Sequence, residues 1–135
     1  MSATDVTHTR GAIALALFAL CGVAADLHAQ LRTRVQASGF ESPLAFVQDP
    51  VDRAVQFVVQ QNGRIRVVRD ATVLPADFIN LSSAVVAGGE QGLLGLAFAP
   101  DSGSGRFFVN LTNRSGDTVV ARFRRSGDSV VADPA

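Results

Sequence analysis

Beyond residue 29 the chain alternates apolar and polar positions every two residues, in short runs rich in Val and Phe broken by Gly, Asn, Asp and Ser. That period suits a strand with one buried face, because successive side chains point to opposite sides of a sheet. Residues 54–69 (AVQFVVQQNGRIRVVR) read as a hairpin. Its Asn62-Gly63 pair predicts a two-residue type I′ turn, in which both central residues need φ > 0. On the returning strand Ile65 and Val67 fall on one face, Arg64 and Arg66 on the other. Residues 106–124 (RFFVNLTNRSGDTVVARFR) repeat this design around a turn at 113–116, and a third turn at Ser126-Gly127 opens a short run at 129–131. No stretch past residue 29 sustains a helical period with caps, so the expected fold class is all-β.

The runs also recur. Residues 43–50 (PLAFVQDP) and 93–100 (LLGLAFAP) are apolar strands ending at a proline, fifty positions apart, and the FVV at Phe57 returns as FVN at Phe108. A four-stranded unit repeating at roughly 50 residues is the pattern of a β-propeller blade. A β-sandwich with coincidental spacing is the structural alternative. Two such units cannot close a ring of four to eight blades, so the expectation is the first part of a longer, truncated propeller.

The leading segment changes what chemistry is available. Arg10 closes a polar stretch and residues 11–25 form an uncharged apolar run, followed by small-residue cleavage options after Ala25 or Ala29. Residues 1–29 therefore read as a helical secretory signal peptide, too short in its apolar run for a membrane anchor. The expected location is secreted or periplasmic, with no membrane attachment after cleavage. The only Cys, Cys21, and the only histidines, His8 and His28, lie in this leader. All twelve basic residues are Arg, and there is no Tyr or Trp. Residues 30–135 thus contain no His–nucleophile pair, no Schiff-base lysine and no His/Cys zinc site. Twelve acidic residues balance the twelve arginines, which argues against a nucleic-acid partner.

The runs 59–68 (VQQNGRIRVV), 88–101 (GGEQGLLGLAFAPD), 105–108 (GRFF) and 116–123 (GDTVVARF), in that order, resemble the N-terminal part of the glucose/sorbosone dehydrogenase family. These are secreted or periplasmic sugar dehydrogenases that use pyrroloquinoline quinone (PQQ) and fold as six-bladed propellers. The resemblance spans most of residues 39–135 and implies that 30–135 supply the first two or so blades. It further implies oxidation of an aldose at its anomeric carbon, with hydride passing to the quinone and calcium and arginines holding the cofactor, and it admits a homodimer. The family's catalytic histidine, cofactor arginines and calcium ligands lie in later blades. No catalytic or metal residue is therefore expected here, no cofactor is expected to be held by this chain alone, and the chain alone should be inactive. One family site does fall inside it. A glutamine that touches the cofactor corresponds to Glu90, followed by Gln91. A carboxylate there only accepts hydrogen bonds, which sets it against a tricarboxylate quinone unless a cation offsets it, or Gln91 takes over the contact. The family's His-Pro-Asp is here Ala99-Pro100-Asp101. A non-catalytic extracellular propeller acting as a binding module is the second functional reading.

Other features have plainer explanations. The glycine-rich loop 88–92 suits both close backbone approach to a ligand and a tight crossover between blades. Arg64, Arg66 and Arg69, like Arg122, Arg124 and Arg125, are expected to form solvated faces. Asp49 and Asp52 flank Pro50, where Asp initiates turns, and they make no acid–base pair. Asp101 and Asp117 are weak candidates for calcium.

Overall fold

In the computed structural model, residues 31–128 and 130–133 are described, and the expected signal peptide, with Cys21, His8 and His28, lies outside them. Seven strands follow in order: β1 (Pro43–Gln48), β2 (Val55–Gln60), β3 (Arg64–Arg69), β4 (Thr72–Asn80), β5 (Leu93–Phe98), β6 (Arg106–Thr112) and β7 (Thr118–Arg124). A short 3-10 turn at Ser102–Ser104 sits between β5 and β6, and the described residues contain no α-helix. The strands form two antiparallel meanders, a four-stranded sheet β1-β2-β3-β4 and a three-stranded sheet β5-β6-β7. A bridge between Arg125 and Ala132 begins a further pairing along the end of β7.

The alternation in the sequence decides which face is buried. Val55, Phe57 and Val59 of β2, Ile65 and Val67 of β3 and Phe78 of β4 join Leu93, Phe107, Val109 and Leu111 of the second sheet in one core. Five phenylalanines form its centre. Phe78 lies 4.5 Å from Phe57 and 4.7 Å from Phe107 between ring centroids, Phe98 lies 5.1 Å from Phe57, and Phe123 stacks on Phe107 at 5.6 Å. Tilted and offset contacts of this kind contribute about 0.5–1.5 kcal/mol each beyond the area they bury.

A charged clasp closes one edge of this core. Asp49 follows β1, and its Oδ1 accepts from the amides of Val51 and Asp52, which is the turn role expected of it. Its Oδ2 accepts from Arg125 Nη1 at 2.8 Å, in a pair whose side chains are 1% and 9% exposed. The Arg125 guanidinium lies 4.3 Å over the Phe98 ring and 5.5 Å from that of Phe57. Arg125 is therefore not part of a solvated face, as its neighbours Arg122 and Arg124 are. It joins the end of β7 to the loop after β1, because only there does a carboxylate meet it away from water. Removing one partner of such a buried pair typically costs about 3–5 kcal/mol, since the other charge is left stranded. Arg66, 21% exposed, departs in part from the solvated reading and lies 2.9 Å from the Asp77 carboxylate on β4, which the exposed Arg64 also reaches at 2.9 Å from the solvated face expected of it. Arg66 Nη2 donates to the Leu74 carbonyl, at the irregular stretch around Pro75 where the β3–β4 register shifts. An edge strand accommodates that proline because its missing N–H faces no neighbour.

The turn chemistry differs from expectation in one respect. Gln60 pairs with Arg64, so three residues, Gln61, Asn62 and Gly63, make the β2–β3 loop, and of these only Gly63 has positive φ, at 99°. The type I′ turn expected at Asn62-Gly63 is absent there because Gln61 is drawn into the loop by contacts described below. A two-residue turn with both φ positive occurs instead at Asp70-Ala71, at 49° and 62°, between the paired Arg69 and Thr72. The turn at 113–116 is present as expected, with Asn113 Oδ1 accepting from the amides of Ser115 and Asp117.

The repeat is visible in three dimensions. Phe57 stands opposite Val47, and 51 residues on Phe108 stands opposite Ala97. Both phenylalanines point to the same side of their own sheet. For Phe57 that side faces the second sheet, whereas for Phe108 it faces outward with Val120, which is 70% exposed. Two sheets related in this way are successive blades of a propeller, each presenting the face on which the next would pack.

Two outcomes follow from this packing. Phe57→Ala should cost about 3–5 kcal/mol in urea unfolding, whereas Phe108→Ala at the equivalent but half-buried position should cost about 1 kcal/mol. Ala71→Gly should raise stability by about 0.5–1 kcal/mol, read as a higher melting temperature, because glycine removes the Cβ strain of a left-handed residue.

Candidate functional site

Three loops meet at one end of the two sheets: the β2–β3 loop at 61–63, the β6–β7 loop at 113–117 and the crossover 88–92 that leads into β5. The crossover is a tight turn in which the amides of Gly88 and Gln91 each donate to the other's carbonyl at 3.0 Å. Its exit is tied twice. The Leu93 amide donates to the Gln61 carbonyl, and the Thr112 amide to the Gly92 carbonyl. A side chain also holds it, for Gln61 Nε2 donates to the Gly89 carbonyl at 2.7 Å and to the Gln91 carbonyl at 3.0 Å.

Glycine is needed at two points for different reasons. A Cβ on Gly92 would stand 2.5 Å from Gln61 Cγ and 2.6 Å from the Gln61 carbonyl oxygen, so only hydrogen fits between these loops. A Cβ on Gly88 or Gly89 would meet nothing within 4 Å, so there the backbone is open to its surroundings. The loop is thus both things the sequence suggested, a crossover between blades and an accessible stretch of main chain.

Glu90 and Gln91, the two cofactor candidates, are both exposed at the tip of this loop. Gln91 lies beside the β6–β7 turn, its Nε2 3.9 Å from where a Cβ of Gly116 would be. In the same turn Arg114 is anchored by donating to the Ser82 and Ser83 carbonyls. The set comprises an amide that donates and accepts, an acceptor-only carboxylate and open glycine backbone. Oxygen-rich ligands such as a quinone carboxylate match the amide and the Gly89 backbone N–H; the Glu90 carboxylate suits such a ligand only with a cation between them.

The structure separates the calcium candidates. Asp101 lies before β6 and pairs with Arg106 at 2.6 Å, whereas Asp117 lies beyond the far end of β6 and accepts from Asn113 Nδ2. The hydrogen bond from the Arg106 guanidinium holds the Asp101 carboxyl below its usual range. Among the described residues no group of three or more His, Cys, Asp or Glu could hold a metal. A cleft of about 430 Å³ opens at the end of the sheets away from loop 88–92, between Asp49, Asp52, Ser102, Gly105 and Arg124. Two of its carboxylates are engaged, Asp49 with Arg125 and Asp52 with Arg69, and it contains neither candidate residue. Sequence reasoning missed Gln61, whose role depends on a contact 28 and 30 residues away in the chain. It had read Gln61 only as part of a strand-and-turn run.

No family model matches the chain, and no curated protein does. Solved structures do. A putative oxidoreductase (glucose dehydrogenase) from Thermus thermophilus is 29% identical, with a TM-score of 0.63 over 77% of this chain and 31% of that one. The PQQ-bound aldose sugar dehydrogenase from Streptomyces coelicolor is 26% identical, with a TM-score of 0.58 over 67% of this chain and 27% of that one. These likenesses support the PQQ-dependent sugar dehydrogenase family for this chain. A further structure, a glucose dehydrogenase at 24% identity and a TM-score of 0.56, supports the fold and covers 71% of this chain and 29% of that one. The chain spans about three tenths of the length of the structures it matches. Its two sheets are propeller blades, and the β-sandwich alternative falls.

Gly92→Ala should destabilise by about 1–3 kcal/mol through overpacking against Gln61. Gly89→Ala, which adds a methyl to open space, should cost less in the same urea titration.

Proposed function

We propose that the chain supplies two blades of an exported PQQ-dependent aldose dehydrogenase, and that loop 88–92 is its contribution to the cofactor site. The observation that carries this reading is the match of both blades to sugar dehydrogenase propellers, one of them with PQQ bound. The leader-like composition of residues 1–29 supports export to the periplasm or cell exterior. The substrate class is an aldose, and a homodimer is compatible with the family resemblance.

Within this reading, the Gln91 carboxamide and the Gly89 backbone N–H would donate to the cofactor's oxygens. Glu90 would face it across a cation, a place calcium suits because hard oxygen ligands hold it. When bound, the quinone supplies the acceptor for the sugar's hydride. This chain's residues orient the cofactor at one edge and do not take the sugar's proton, since no histidine occurs in residues 30–135. The dehydrogenation chemistry is therefore assigned to parts of the protein other than these two blades.

Glu90 also favours a second reading, a propeller that binds an extracellular ligand without redox turnover. A carboxylate in place of the family's glutamine is what a site released from holding a tricarboxylate would tolerate.

Aldose-dependent dye reduction separates these proposals. The full chain with PQQ and calcium should give no turnover above a buffer blank, and turnover by the chain alone would overturn the assignment of the chemistry elsewhere. A gene product extending beyond codon 135 should reduce the dye with at least one aldose and require PQQ. Absence of turnover from that product across a panel of aldoses would favour the binding module.

A further inference from the structure

The least expected feature of the site is the use made of the Gln61 side chain. It belongs to the β2–β3 loop of the first blade, yet its carboxamide nitrogen donates to two carbonyls of the crossover into the second, those of Gly89 and Gln91. These carbonyls bracket the Glu90-Gln91 pair, one just before Glu90 and the other on Gln91 itself. An amide NH2 has two hydrogens, so both bonds form at once, and the peptide units before Glu90 and after Gln91 are held with their oxygens turned toward Gln61. The Gln61 main-chain carbonyl accepts from the Leu93 amide, which fixes where the loop ends. Gly92 leaves just the space this approach requires.

We propose that Gln61 is a positioning residue for the ligand-binding loop: its carboxamide clamp turns the Gly89 and Gln91 carbonyls inward and thereby presents Glu90 and Gln91 outward. The functional half of this inference rests on the reading that the loop contacts PQQ. The structural half, that one side chain holds the loop in its presenting shape, stands on the geometry alone. Without the clamp the only other restraints on the loop are the mutual Gly88–Gln91 bonds and the ties at Gly92 and Leu93, and the open glycines allow the tip to reorient.

Hydrogen–deuterium exchange of the full chain tests this, with Gln61→Met removing the polar group and Gln61→Glu replacing the donor with a carboxylate of the same shape. At pH 7 both variants should exchange the hydrogen-bonded amides of Gly88 and Gln91 about tenfold faster, the order expected when about one net hydrogen bond's worth of local stability is lost. Unchanged protection in β2 and β6 reports that each variant remains folded. At pH 4 and below the Gln61→Glu carboxyl protonates and regains one O–H donor. Its protection, relative to the unsubstituted chain at the same pH, should then recover in part, while that of Gln61→Met should not. A role of bulk alone would show no such pH dependence.

Unchanged exchange of the loop in Gln61→Met overturns the proposal, as does an equal loss in Gln61→Glu at both pH values. Adding PQQ at millimolar concentration reads the functional half. Protection of 88–92 in the unsubstituted chain that is weakened in both variants at pH 7 supports it, and equal protection in all three overturns it. No effect of PQQ on the unsubstituted loop would instead overturn the cofactor contact, with the ligand-free exchange still deciding whether Gln61 holds the loop.

Discussion

The structure depends on the layer of phenylalanines between its two sheets. Neither meander could hide its apolar face alone, and a sheet with one apolar face must bury it against another layer. Phe57, Phe78, Phe98, Phe107 and Phe123 close against one another from both sides, and everything else is arranged around that contact. The Asp49–Arg125 pair caps the layer at one end, with the guanidinium lying on Phe98. Placing a charge there is tolerable because its partner carboxylate, an aromatic face and the turn amides that fix Asp49 are already in place.

The candidate site is a consequence of that packing at the other end. Once the sheets are face to face, the β2–β3 loop of one blade necessarily lies against the crossover into the next. The narrow approach at Gly92 and the Gln61 clamp both arise from this juxtaposition. A loop with two open glycines at its tip would otherwise have many conformations. Here its base is pinned by main-chain bonds to both blades, and only the tip, with Glu90 and Gln91, is left outward.

The same logic explains why the outer faces look as they do. Residues 47 and 57 on one sheet and 97 and 108 on the next occupy equivalent places, but the first pair is covered and the second is not. On the opposite flank Phe46, 55% exposed, lines a groove with Phe40, Leu44 and Val58. Apolar residues at both outer faces are what a repeating blade sequence produces, since each unit carries both halves of an interface whether or not a neighbour is present.

The sequence by itself determined the strands, their inward and outward faces and the 50-residue recurrence, because these follow from local alternation and from turn residues close in the chain. It also determined that no histidine occurs in residues 30–135, which bears directly on catalysis. It did not determine the turn at Gln61–Gly63, where an Asn-Gly pair suited to a two-residue turn gave way to a three-residue loop. Nor did it reveal that Arg125, one of three arginines in a short run, is the buried one, or that Gln61 grips the loop bearing Glu90. Those features were settled by tertiary structure, because each depends on groups 28 to 76 residues apart being brought within hydrogen-bonding distance, and the partner of a long polar side chain is chosen by whichever surface packing places beside it.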